Sequence, residues 1–291
     1  MQAVLENDEL KVTINHFGAE LSSIIKKETG VEYMWNADER FWKRSAPVLF
    51  PIVGSLKNKE FLYDGKAYPM GQHGFARDME FSLESNTGTE CWFSLSSDET
   101  TLEKYPFAFV LKLGYVLEGN ALKVVWRVIN GNTKRMYFSI GGHPAFMCPL
   151  AGEGEQTDYL IAFDTEKDLL YSKLSADGLV ESENHVLATN GGKMQVTEHL
   201  FDEDALIIEG GQAHKVSLCR PDGKPYLTVE FDAPLFGLWS PAKKNAPFIC
   251  IEPWYGRCDK EEFNGSLEQR EYGNCLEPGE EFVVDFRVVV E

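Results

Sequence analysis

Residues 109 to 129 read FVLKLGYVLEGNALKVVWRVI. Apolar side chains recur at every second position in FVLKLGYVL (109 to 117) and again in ALKVVWRVI (121 to 129). That is the period of a strand with one buried face. Between them Glu118-Gly119-Asn120 supplies turn chemistry, so the stretch reads as an antiparallel hairpin. The same period appears outward along the chain in LKVTINHF (10 to 17), FSLES (81 to 85), KVSLC (215 to 219), YLTVEF (226 to 231) and FVVDFRVVV (282 to 290). Pro221-Asp222-Gly223 joins two of these runs as a second hairpin. Helical periodicity is confined to short stretches such as NADERFWKR (36 to 44), and no strand–helix–strand alternation is present. The expected fold is therefore all-β, a large antiparallel β-sandwich with few short helices. No Pro/Ser/Gly-rich linker divides it, so residues 1–291 are read as a single domain.

Composition narrows the function. The chain has 43% hydrophobic residues and 19 Phe, 11 Tyr and 6 Trp, ample for a core. Lys plus Arg number 28 against 46 Asp plus Glu, a formal charge of −18. Such a chain repels polyanions, which argues against a nucleic-acid partner. Six cysteines at 91, 148, 219, 250, 258 and 275 form no CxxC pair and no Cys/His cluster with zinc spacing. They are expected to be free thiols, and no metal is expected. The first residues, MQAVLENDELKV, show no basic-then-apolar leader, and no 18-residue apolar run occurs. Neither secretion nor a membrane partner is indicated, and a reducing cytoplasm is the expected location. No sequence feature specifies an oligomeric state.

Four stretches hold polar residues of catalytic type among aromatic and turn-forming neighbours: RSAPVLFPIVG (44 to 54), QHGFAR (72 to 77), GGHPAFM (141 to 147) and CIEPWYGRCD (250 to 259). GGHPAFM follows a strand-like run, KRMYFSI (134 to 140), so His143 falls where a strand stops. Glycines beside it permit close approach of other groups, and proline ends ladder bonding. QHGFAR aims His73 and Arg77 from one short loop. Glu252 stands in the apolar run FICIEPW, where an ionised carboxylate is costly without a partner and where burial raises its pKa. Two readings of Glu252 remain open on these grounds: a catalytic base, or the buried partner of Arg257 or Arg44. His16, His185, His199 and His214 lack such surroundings and receive no role.

Together, Arg44 with PVLFPIVG, QHGFAR, GGHPAF and IEPWYG resemble the aldose 1-epimerase (galactose mutarotase) superfamily, in its LacX-like branch. The resemblance runs the length of the chain in the family's order. It implies the galactose mutarotase-like supersandwich, a hexose as small-molecule partner and no cofactor. The family's histidine pair falls on His73 and His143, its glutamate base on Glu252, and its substrate-holding arginines on Arg44 and Arg77. Its substrate-binding aspartate matches Asp204 in LFDEDALII, with Asp202 and Asp158 as alternatives. Trp254 or Phe75 would stack on the apolar face of the sugar.

Mutarotation opens a pyranose to the free aldehyde and recloses it on the other face. One group must take the C1 hydroxyl proton while another delivers a proton to the ring oxygen. A carboxylate and an imidazole, ordinarily at about 4.3 and 6.5, suit that division once burial shifts them. Two alternatives accompany this reading: a hexose-6-phosphate mutarotase, with the two arginines gripping a phosphate, and a non-catalytic sugar-binding or sensing protein on the same fold.

Overall fold

The computed structural model describes all 291 residues. Strands Phe109–Glu118 and Ala121–Asn130 pair antiparallel, with Phe109 opposite Asn130 and Glu118 opposite Ala121. Gly119, at φ 62, takes the turn position that side chains avoid. Period two acts as expected: Phe109, Leu111 and Leu113 are buried, while Val110 and Lys112 face outward. The 215–219 and 225–231 strands likewise form a hairpin through Pro221-Asp222-Gly223.

These strands belong to a nine-stranded sheet in the order 193–195, 160–163, 215–219, 225–231, 281–290, 121–130, 109–118, 90–96 and 82–86. A second, eight-stranded sheet runs 180–187, 169–174, 206–209, 235–239, 248–255, 140–142 and 48–49, with 145–147 also paired to 248–255. All named strand pairs in both sheets are antiparallel. The sheets meet face to face, with Phe282 against Tyr255 at a ring distance of 5.4 Å. Phe231 packs on Phe236 at 5.3 Å. A continuous cluster of 65 buried apolar residues fills the space between and around them. Each fully buried Phe or Leu there contributes about 1.5–3 kcal/mol. A four-stranded sheet over 2–32 packs alongside.

The one α-helix is six residues long, Glu99–Lys104, capped by Asp98. NADERFWKR, expected to be helical, is instead a single turn in which the Phe41 and Trp42 amides both donate to the Asp38 carbonyl. Aromatic packing outcompetes helical bonding here. The Trp35 indole N–H donates to the Trp42 carbonyl at 2.8 Å, and Phe41 meets Trp35 edge-on at 5.8 Å. No helix is long and apolar enough to cross a membrane.

All six cysteines are free thiols, five buried and Cys275 exposed. Alkylation under native conditions should therefore modify Cys275 quickly and the others slowly. Under denaturing, non-reducing conditions intact mass should show all six modified, and fewer would mean that a disulfide exists in solution.

Candidate active site

Strand Phe248–Tyr255 carries the centre of the site. Gly141 lies opposite Trp254 and Ala145 opposite Cys250. The 140–142 and 145–147 strands thus share one register on this partner, interrupted at His143-Pro144, and that register sets position 143 across from 252. His143 Nε2 lies 3.4 Å from Glu252 Oε2. On the other side of the central strand Gly237 is opposite Glu252.

The glycines of this region serve the Trp254 ring. A Cβ on Gly141 would stand 2.6 Å from Trp254 Cδ1, and one on Gly237 would stand 2.6 Å from Trp254 Cη2. The indole therefore lies across two neighbouring strands that have no side chain beneath it. Being two residues from Glu252 on the same strand, it shares the carboxyl's face.

A cavity of about 220 Å³ opens over this floor, walled by His73, Arg77, His143, Asp204, Glu252 and Trp254 among others. His73 has φ 66 and is stapled to Gly54: its amide donates to the Gly54 carbonyl at 2.9 Å, and the Gly54 amide donates to His73 Nδ1 at 3.0 Å. Nδ1 is therefore the acceptor nitrogen and Nε2 bears the proton, leaving one ring N–H available as a donor. Arg77 Nη2 donates to the Gln72 carbonyl at 2.8 Å, while its buried Nε makes no hydrogen bond and has the Asp78 carboxylate at 3.8 Å. Burial and the nearby Arg44 charge bring Arg77 down to about 10, so it remains cationic at neutral pH. Asp204 holds φ 73, and its carboxylate accepts the Ala205 amide at 2.8 Å.

Arg44 and Phe75 do not line the cavity. Arg44 is tied to Asp78 at 2.6 Å and reaches the Arg77 carbonyl at 3.5 Å. Phe75 packs into the core beside Phe109 and Tyr105, at 6.1 and 6.4 Å. Asp202 binds His199 at 2.8 Å, and Asp158 accepts the Glu155 amide at a 3₁₀ turn, so of the three aspartates Asp204 alone walls the cavity. Neither arginine offered as a partner reaches Glu252. Arg257 pairs with Glu209 and Glu271, and Arg44 with Asp78.

Lining residues without a role in the sequence reading include Trp42, Gln72, Trp239 and Cys258. Trp42 stacks on the His143 ring at 4.7 Å and 29°, and Trp239 meets it edge-on at 5.2 Å. The only signal for Trp42 was its place two residues before Arg44. Gln72 opens the QHGFAR motif, in which the sequence singles out only His73, Phe75 and Arg77.

His143 is 8% exposed and Glu252 1%. Burial, with the Asp204 charge second, pushes the Glu252 carboxyl well above its ordinary range, tempered by the Trp254 indole N–H. Burial, then the Arg77 and Arg44 charges, push His143 down to about 3. His73 is likewise held well below an ordinary imidazole, by burial first. Burial thus biases the pair toward a carboxylic acid beside a neutral imidazole. The carboxylate–imidazolium form has the same number of protons and differs only by transfer within the pair.

His143, Cys250 and Glu252 each offer a donor atom within 4.8 Å of the others. A cation there would have to displace protons from a thiol and a carboxyl that burial pushes upward. That chemistry fits an acid/base pair beside a structural thiol better than a ligand set. Activity is expected to survive exhaustive chelation; its loss, with recovery on adding back a divalent ion, would overturn this.

The sequence matches, over residues 1–287, the family described as Aldose 1-epimerase. It is 34% identical over 287 residues to Protein LacX (plasmid) of Lactococcus lactis subsp. lactis, covering 95% of this chain and 92% of that one. A galactose mutarotase related enzyme from Lactobacillus acidophilus superposes with a TM-score of 0.94 at 36% identity, over 100% of this chain and 97% of that chain. A galactose mutarotase-like protein from Lactobacillus casei superposes at 0.93 with 30% identity over the whole of both chains.

Proposed function

The chain belongs to the aldose 1-epimerase family, and from that membership we propose that it is a mutarotase, interconverting α and β anomers of a neutral hexose at Glu252 and His143. The observation that carries this reading is the buried pair itself, a carboxyl and an imidazole 3.4 Å apart with no arginine to neutralise the acid. Starting from carboxylate and imidazolium, Glu252 takes the O1 proton as the C1–O5 bond breaks and C1=O1 forms. His143 delivers its proton to O5. The pair then stands as acid and neutral imidazole, the form that burial favours. After C1 turns about its bond to C2, closure on the other face reverses both transfers, so no proton is gained or lost overall. Arg77, the His73 Nε2–H and Asp204 supply donors and an acceptor for hydroxyls, while Trp254, Trp42 and Trp239 give apolar surface for the ring.

The phosphate alternative needs two free guanidinium groups. Arg44 is engaged by Asp78 and lies outside the cavity wall, and Arg77, which does line it, has the same Asp78 3.8 Å from its Nε. A neutral hexose is the better fit. Polarimetry on freshly dissolved α-galactose and α-glucose tests turnover; binding of these sugars without faster interconversion would favour the sensing-protein alternative.

The pair is active with one proton. On acidification the second proton arrives only as pH nears the depressed imidazole value of about 3. On alkalinisation the single proton leaves at the raised carboxyl value, above the ordinary carboxylate range. The acid limb of kcat/KM should therefore lie well below pH 6.5, about where an unperturbed histidine titrates. An acid limb centred there would contradict the one-proton assignment.

A further inference from the structure

We propose that Trp42 is a positioning residue for His143, holding the imidazole flat against its indole face and stabilising the imidazolium from which the proton passes to O5. This role rests on the mutarotase reading above.

A histidine that gives and takes protons ordinarily has a third group behind it, which orients the ring and favours its charged form. His143 has none of the usual kind. Its Nε2 faces Glu252 at 3.4 Å, and its buried Nδ1 makes no hydrogen bond, with only its own carbonyl near enough to favour charge. Arg77 and Arg44 both oppose a positive charge on the ring. Glu252 offsets that charge only while ionised, and it takes up the O1 proton in the same opening step.

Trp42 supplies what is missing. Its ring lies 4.7 Å from the His143 ring at 29°, so the imidazole rests on the face of the indole. A cation within about 6 Å of a tryptophan face is attracted by the ring quadrupole, and more strongly where water is excluded. His143 is buried, so little water competes. Trp239 meets the same imidazole at 84° and offers no second parallel surface. Trp42 is itself held in place. Its amide donates to the Asp38 carbonyl at 3.0 Å, its carbonyl accepts the Trp35 indole N–H at 2.8 Å, and its ring stacks on Phe248 at 5.9 Å and 29°. Turning His143 away from Glu252 would give up the stack, so one contact serves both direction and charge.

The test weakens the indole face without removing the ring. Trp42→Leu would admit water beside His143, and water favours the imidazolium, so the two effects would oppose each other. Mono-, di-, tri- and tetrafluorotryptophan placed at position 42 of the full chain drain the π face in steps while nearly keeping its shape. With α-galactose or α-glucose, whichever the unmodified protein turns over faster, kcat should fall stepwise to roughly tenfold below the parent at the tetrafluoro ring. KM and the thermal midpoint should stay nearly constant, since neither the sugar wall nor the packing changes shape. Equal kcat along the series, or a loss confined to KM, overturns this role and leaves the mutarotase reading standing. An unmodified protein that turns over neither sugar would instead remove the reading on which it rests.

Discussion

Glu252→Gln is expected to slow anomer interconversion by roughly a hundredfold or more, the usual scale of a lost acid or base. The amide keeps the shape of the carboxyl and cannot pass a proton. The fold should be indifferent to it. Glu252 has no arginine partner to be left unpaired, and burial already favours its neutral form. A denaturation midpoint close to wild type together with the lost rate, followed by polarimetry, would separate chemistry from folding. Near wild-type turnover by this variant would remove Glu252 from the mechanism.

His143→Asn should cost roughly as much in rate, a hundredfold or more, since it removes the other half of the same proton transfer. It should also cost some stability. Trp42 stacks on this ring and Trp239 abuts it, so a smaller side chain leaves both indoles under-packed. Combining the two substitutions should lower the rate no more than about tenfold below the slower single variant, because groups acting as one unit are not additive. A double variant that multiplies the two losses would mean that the residues act at separate steps.

The strands were legible because one buried face imposes period two, and the turns at 119 and 223 because only certain residues tolerate them. The meeting of His143 and Glu252 was not. It depends on the register between two strands distant in sequence, which no local pattern encodes. The same limit explains Arg44 and Phe75. Their motifs reach the neighbourhood of the cavity, but Arg44 is held by Asp78, and in QHGFAR the His73 backbone at φ 66, with its two bonds to Gly54, puts the imidazole in the cavity wall while Phe75 packs into the core. Trp42 was hidden by an apparent helical period that aromatic packing overrides. The glycines ahead of His143 permit close approach, and the group that approaches is an indole from the neighbouring strand, laid against an extended Gly141. The charge state of the pair required its burial, which sequence suggests for Glu252 and leaves unsaid for His143.

The proposed reaction is anomer interconversion at a single-proton pair. Exchange NMR on the anomeric protons of galactose and glucose, with catalytic amounts of protein at pH 5 and pH 7, addresses it most directly. α/β exchange well above buffer is expected at both pH values. Exchange no faster than buffer for both sugars, at either pH, would contradict it.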